Sequence, residues 1–270
     1  MMNKTIGFIG SGNMGKAMMG GIIKSKLVEP SKVIICDISE ERLNAIKDEF
    51  GVQTTTDSGE LAKRADIIFL SVKPNVYNVV MESIKNYITE GKIVVSIAAG
   101  KSIEDVEKVL GENIKLVRAM PNTPALVGEG MSALCPNRNV TPEEVNDIKS
   151  IFESFGKAEI IPEHLIDSVI GISGSSPAYV FMFIEAMADA AVLGGMARDK
   201  AYQFAAQAVL GSAKMVIETG MHPGELKDMV CSPAGTTIEA VRTFEEKGLR
   251  AAVIEAIVKC MEKSKEMSSR

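Results

Sequence analysis

The sequence predicts an α/β protein in two parts: an N-terminal doubly wound sheet over residues 1–162 and an all-helical domain over residues 163–270. Three observations predict it. Short runs rich in Ile and Val alternate with polar, helix-periodic segments up to Pro162, the pattern of a parallel sheet covered on both faces. The first apolar run ends in Gly10-Ser11-Gly12-Asn13-Met14-Gly15 and passes directly into a helical segment. Beyond Pro162 the strand signal stops, and helices rich in small residues follow.

Taken in order, strands are expected at residues 5–9, 32–36, 67–71, 93–97 and 114–119, with a weaker one at 132–135 and a last run at 158–161. Helices are expected at 16–24, 40–50, 75–88, 102–110 and 142–155. The glycine loop then sits between a first strand and a first helix, the setting of a Rossmann-type dinucleotide fingerprint. There the first glycine permits the turn, the second admits a pyrophosphate and the third lets helix and strand pack. The helix N-terminus offers unpaired N–H groups and a partial positive charge. Glycine-rich turns also serve methyltransferases and plain structural bends. A correctly spaced acid adds weight: Asp37, 22 residues beyond Gly15, ends the second strand. It is placed to accept from a ribose 2′-hydroxyl and to repel a 2′-phosphate.

In the second part, Ser175-Ser176-Pro177 reads as a helix start, and the helix beyond it is apolar almost all round, as if buried on every side. A helix at 198–218 and a last one carrying Leu249, Val253, Ala256, Ile257 and Cys260 follow. Such helices alone would expose too much apolar surface, which predicts a dimer formed through this half.

Composition narrows the function. Hydrophobic residues make up 46% and charged residues 24%, a balance for cores rather than disorder. A net charge of −5 without a basic block disfavours nucleic acid and anionic membrane as partners. Cys36, Cys135, Cys231 and Cys260 are far apart, with no metal-ligand spacing, so incidental thiols in a reducing cytoplasm are expected and no metal. No signal peptide precedes the glycine loop, and the apolar stretch 177–196 carries Glu185 and Asp189, which favours a core or interface helix over a membrane span.

Three turns end successive strands: Ser71-Val72-Lys73-Pro74, Ser96-Ile97-Ala98-Ala99-Gly100 and Met120-Pro121-Asn122-Thr123-Pro124. In an open α/β sheet such strand ends line the ligand crevice, and the small residues of the turn Ser96 to Gly100 suit a flat nicotinamide ring. Ser232-Pro233-Ala234-Gly235-Thr236-Thr237 precedes a helix and would suit a small carboxylate, although an ordinary helix cap reads the same way. Ser173-Gly174-Ser175-Ser176 could form a second wall. His164 and His222 both stand at helix starts. With no strong general acid in view, a reaction needing little proton transfer from the protein is favoured. Reduction of a C=N bond qualifies, because an imine arrives protonated.

Residues 167–181, Asp167-Ser168-Val169-Ile170-Gly171-Ile172-Ser173-Gly174-Ser175-Ser176-Pro177-Ala178-Tyr179-Val180-Phe181, resemble the signature of the Δ1-pyrroline-5-carboxylate reductase family. So do Ala213-Lys214-Met215, the run from His222 to Asp228, and Ser232 to Ile238, together with the glycine loop and the three strand-end turns. The resemblance runs in order from about residue 5 to 260. It implies a cytoplasmic enzyme of proline biosynthesis that reduces pyrroline-5-carboxylate with NADH or NADPH. It also implies a homodimer, in many members assembled into rings of dimers. The cofactor contacts it implies are Ile9, Gly10, Ser11, Gly12, Asn13, Met14, Ser71, Val72, Lys73, Pro74, Ile97, Ala98 and Ala99, with Ser58 near the adenosine end. The cofactor end varies within the family, so Asp37 is read on its own terms: it favours NADH modestly, because Ile38 and Ser39 offer no arginine for a 2′-phosphate. For the substrate it implies Glu163, Ser173, Ser175, Asp228, Ser232, Gly235, Thr236 and Thr237, the last being the candidate catalytic hydroxyl.

The chain departs from the family pattern at Ile170, where threonine is usual, at Ser176 and Ala234, where glycine is usual, and at Ser58, where asparagine is usual. A β-hydroxyacid dehydrogenase would share the layout but calls for a lysine in the long central helix, and residues 179–193 contain none. A non-catalytic NAD(H)-binding regulatory protein is the alternative of another class. It would leave the loop at 232–237 without a purpose.

Overall fold

The computed structural model describes residues 2–268. Among them eight strands form one sheet: β1 (Ile6–Ile9), β2 (Val33–Cys36), β3 (Gln53–Thr55), β4 (Ile67–Leu70), β5 (Ile93–Ser96), β6 (Lys115–Met120), β7 (Gly130–Pro136) and β8 (Gly156–Ile160). Their order is β3-β2-β1-β4-β5-β6-β7-β8, and the first six run parallel. Helices α1 (Asn13–Lys24), α2 (Glu40–Phe50), α3 (Ser58–Arg64), α4 (Tyr77–Ile84), α5 (Ile103–Leu110) and α6 (Pro142–Glu153) cover its two faces. Successive strand residues point to opposite sides. Phe8, Ile35 and Phe69 bury against Met18, Ile22 and Phe152 on one face. Ile34, Ile68 and Val94 bury against Leu61, Met81 and Val106 on the other. Each such side chain contributes about 1.5–3 kcal/mol.

The structure adds two features that periodicity misses. β3 and α3 form where no element is expected, because Gln-Thr-Thr is too polar and short to read as a strand; it pairs at the sheet edge with β2. β7 runs antiparallel to β6 and parallel to β8, so the sheet is mixed rather than wholly parallel. The turn at 121–129 is a 3₁₀ segment (Thr123–Val127), too short for the helical crossover that a parallel connection requires.

Packing divides the described chain into two compact units. The first holds residues up to Ser175 together with those from Cys260 onward, and the second is Ser176–Lys259. The expected boundary at 162/163 lies earlier in the chain. Ile166 buries with Met120, Ala133 and Cys135, and Ser264 Oγ donates to Asp167 at 2.6 Å, which ties these segments to the sheet. Helix α7 (Ile166–Val169) continues through a π-helical turn, Ile170–Gly174, into α8 (Ser176–Leu193). α8 does begin at Ser176, with Pro177 in its first turn as the sequence predicts, but what precedes it is a π turn rather than a loop.

The second unit contains most of α8, then α9 (Arg198–Thr219), α10 (Pro223–Val230), α11 (Thr236–Glu246) and the first part of α12 (Leu249–Ser268). Among its apolar residues Ala188, Ala201 and Ala205 are buried, whereas Phe181 is 64% exposed and Met182 69%. The expectation that α8 is enclosed on every side is not met within a single chain. The continuous helical run Glu163–Leu193 is also long and apolar enough to cross a membrane by length and composition.

Candidate active site

Ile9, Cys36, Leu70 and Ser96 share one register row at the carboxyl ends of β2, β1, β4 and β5. The residues that follow, Gly10, Asp37, Ser71 and Ile97, leave the sheet side by side. β1 lies between β2 and β4, so the chain's direction of winding reverses beside it, and this is the crevice of an open α/β sheet. Gly10 has φ +105°, and a Cβ there would lie 2.7 Å from the Ser71 carbonyl oxygen; one on Gly15 would lie 2.6 Å from the Gly10 oxygen. Gly10 N–H donates to Cys36 O at 2.8 Å, and Ser71 Oγ donates to Gly10 O at 2.8 Å. The loop is thereby held from both neighbouring strands.

Gly12 differs. A Cβ on it would meet nothing within 4 Å, and it caps α1 with extended backbone and no side-chain hydrogen bond. Side chains close five other helices, Ser39 on α2, Asp57 on α3, Ser102 on α5, Thr141 on α6 and His222 on α10, whereas α4, α7 and α9 start uncapped on residues other than glycine. The start of α1, exposed at Gly12 and Asn13 and partly buried at Met14, offers its N–H groups and dipole to an anion, and these residues fit a dinucleotide pyrophosphate.

Asp37 accepts from Ser11 N–H at 2.8 Å and from Ser11 Oγ on the same carboxylate oxygen, Oδ2; Ser39 N–H donates to Oδ1 at 3.0 Å. Partial burial works to raise its pKa. The Ser11 and Ser39 hydrogen bonds and the Arg42 charge outweigh that and hold the carboxyl below the usual value. Arg42, one helical turn beyond Ser39, is a cation that the residues next to Asp37, Ile38 and Ser39, do not announce. Burial, followed by the Asp37 charge, pushes the neighbouring Cys36 thiol up to about 11, which leaves it unreactive.

Of the other expected cofactor residues, Val72 is half-buried, Lys73 and Pro74 are exposed, Ala98 is buried and Ala99 exposed, all just beyond the strand ends. Tyr77 OH donates to Ser96 Oγ at 2.7 Å and props the end of β5. Ser58 opens α3, where its hydroxyl pairs with Ser83 Oγ at 2.8 Å.

Glu163 is a strut in this structure. Its Oε1 accepts from Ile103 N–H, at the first residue of α5, and from Arg118, both at 2.8 Å. Arg118 is almost wholly buried, and its Nε has no partner among the described residues. An arginine inside the apolar strand Leu116-Val117-Arg118-Ala119 was the signal that sequence reasoning passed over. Ser173 is held through Asn122, whose Nδ2 donates to its carbonyl and hydroxyl, each at 3.2 Å, while Asn122 Oδ1 accepts from Met131 N–H at 2.8 Å. Ser175 Oγ accepts from the Cys260 thiol at 3.2 Å.

Within the second unit, Gly235 N–H donates to Ser232 O at 3.1 Å, with Pro233 and Ala234 between them. Ala234 has φ +56°, the left-handed residue of a type II turn, a position where glycine would be unstrained. A Cβ on Gly235 would lie 2.2 Å from Ser232 Oγ, so a larger residue there would require the serine side chain to turn away. Gly235 caps α11 in extended conformation without a side-chain bond, leaving the amides of Thr236 and Thr237 facing out of an open helix start. Asp228 lies exposed on α10, paired with Lys227. A largely apolar groove of about 520 Å³ is lined by Val241, Phe244, Leu249 and Ile254, and its charged residues are already paired, Arg250 with Glu245 and Lys227 with Asp228.

The family model described as "Pyrroline-5-carboxylate reductase dimerisation" matches residues 163–267, and "NADP oxidoreductase coenzyme F420-dependent" matches residues 5–100. The chain is 58% identical to pyrroline-5-carboxylate reductase of Escherichia coli (strain K12), covering 99% of each chain. It is 47% identical to that of Methanosarcina acetivorans, covering 100% of each. The chain belongs to the pyrroline-5-carboxylate reductase family. Its fold matches the crystal structure of Plasmodium falciparum pyrroline carboxylate reductase with NADP bound, at TM-score 0.90 and 34% identity over 99% of both chains. The dimerisation match spans the exposed apolar helices α8 to α11 and most of α12, so family architecture accounts for that surface without a bilayer.

Proposed function

We propose that the protein reduces the C=N bond of Δ1-pyrroline-5-carboxylate to L-proline with NADH or NADPH. One observation carries this reading: the two helices that begin at Gly12 and Gly235 both start on extended glycines with no side-chain cap. One serves the cofactor's pyrophosphate and the other the substrate's carboxylate. When bound, NAD(P)H supplies the hydride. The amides at Gly12, Asn13 and Met14 bind the pyrophosphate, Asp37 accepts from the ribose, and Ile97, Ala98 and Ala99 admit the ring to the sheet edge. Thr236 and Thr237 hold the substrate carboxylate through amides and hydroxyls, and the family resemblance adds Ser173 and Ser175 to the substrate residues. The imine nitrogen keeps the proton it arrives with, so the protein has only to align the two partners.

The NADP-bound relative and the NADP-type family match support NADPH, whereas Asp37 tilts the choice towards NADH. The dimerisation match supports a homodimer, and rings of dimers are the further assembly proposed. The reading places the protein in the cytoplasm. Purified protein should consume NADH when given pyrroline-5-carboxylate at neutral pH, faster than with any 2-oxo or 3-hydroxy acid. No turnover with either cofactor would sink the proposal.

A further inference from the structure

Ser11 occupies the first variable position of the glycine loop and is 8% exposed. Its amide and hydroxyl both donate to Oδ2 of Asp37, and Ser39 N–H donates to Oδ1. A carboxylate offers about four acceptor positions. Three are taken among the described residues, and the one that remains is on Oδ1. Two of the three donors are backbone amides that any residue supplies. The Ser11 hydroxyl is the donor that a side chain decides.

We propose that Ser11 is a positioning residue for cofactor choice, locking the Asp37 carboxylate so that Oδ1 presents a single acceptor to the ribose 2′-hydroxyl. This rests on the reading that Asp37 faces the cofactor's ribose. Since the hydroxyl proton of Ser11 is committed to Asp37, Ser11 has none to give to the pyrophosphate. Without the hydroxyl, Oδ2 keeps one donor and the carboxylate can rock about its last torsion. Arg42, close enough for its charge to act on Asp37, then draws the carboxylate towards α2. Two consequences follow together: the 2′-hydroxyl loses its acceptor, and a 2′-phosphate meets less repulsion and a nearer cation.

The test is the KM for NADH and for NADPH with pyrroline-5-carboxylate, measured in the full-length enzyme and in Ser11→Ala. The ratio of KM(NADPH) to KM(NADH) should fall about three- to tenfold, the weight of one ordinary hydrogen bond. The kcat at saturating cofactor serves as the check on general damage. In an Asp37→Ala background, Ser11→Ala should not move the ratio further, because the two residues act as one unit. Ser11→Thr, which restores the hydroxyl, should bring the ratio back, and Ser11→Gly should repeat the alanine result if alanine folds poorly. Both KM values rising together would place the hydroxyl on the pyrophosphate and overturn the proposal. An unchanged ratio, or an equal shift in both backgrounds, would overturn it too. Absence of turnover in the unmodified enzyme would instead overturn the reductase reading, and an Asp37→Ala ratio equal to the unmodified one would remove Asp37 from the ribose.

Discussion

Asn122 donates its side-chain amide to the carbonyl of Ser173, the carbonyl four residues before Pro177. In a regular helix that carbonyl would accept from residue 177, and proline has no N–H to give. The proline frees the acceptor, the π turn at Ile170–Gly174 relaxes the backbone around it, and Asn122 takes it up. The strand-end turn after β6 is thereby fastened to the serine-rich wall. Asn122→Ala would strand the Ser173 carbonyl and Met131 N–H and should destabilise the protein by about 2–4 kcal/mol. Asn122→Asp, which keeps the acceptor for Met131 but loses the donor, should cost less. Urea unfolding of both variants checks the order.

Glu163 separates two roles by a conservative change. As a strut it needs an acceptor for Ile103 N–H and Arg118, which a glutamine retains. Glu163→Gln should therefore fold and keep a KM for the imine close to that of the unmodified enzyme. Glu163→Ala leaves the buried Arg118 unpaired and should cost about 2–4 kcal/mol, somewhat below a fully buried pair because Glu163 is partly exposed. A large KM increase in Glu163→Gln with normal unfolding would show a direct substrate contact.

Thr237 opens the loop's contribution to substrate binding. Thr237→Ala removes a hydroxyl at the start of α11 while the amides remain. The KM for pyrroline-5-carboxylate should rise about three- to tenfold, with cofactor KM unmoved. Steady-state kinetics with each substrate varied in turn decides it, and an unchanged imine KM moves the carboxylate elsewhere.

Ala234 pays a backbone cost at φ +56°. A left-handed alanine is worth about 1–2 kcal/mol of strain, and glycine returns part of that gain through its freer unfolded chain. Ala234→Gly should stabilise the protein by about 0.5–1 kcal/mol, read as a higher Tm at fixed protomer concentration.

Asp37 sets an acid limit. Its folded pKa lies below its unfolded value, so the unfolded chain takes up the proton first as pH falls. The stability it contributes is present above the unfolded pKa of about 3.9 and is lost as pH drops through the folded value. Asp37→Asn should be less stable than the unmodified protein at neutral pH, with the difference shrinking below about pH 4. Denaturant unfolding of both proteins across that range tests the sign.

Much was legible in the residues alone. The strands at Ile6–Ile9, Val33–Cys36 and Ile67–Leu70 declare themselves because burial on both faces demands near-continuous apolar side chains. α2 matches its expected bounds because Ser39 starts it and Gly51, in left-handed conformation, ends it. Those are local signals. Tertiary structure decided what depends on distant neighbours. Gln53–Thr55 is a strand only because β2 lies beside it, and β7 reverses only because a 3₁₀ turn is too short to cross the sheet. Whether Asp37 is free or already bonded depends on Ser11, 26 residues away, and whether Glu163 is a ligand or a strut depends on Arg118 and Ile103. Sequence periodicity records which face of an element is apolar. It carries no record of which polar atom a folded neighbour has claimed, and the site's chemistry rests on that.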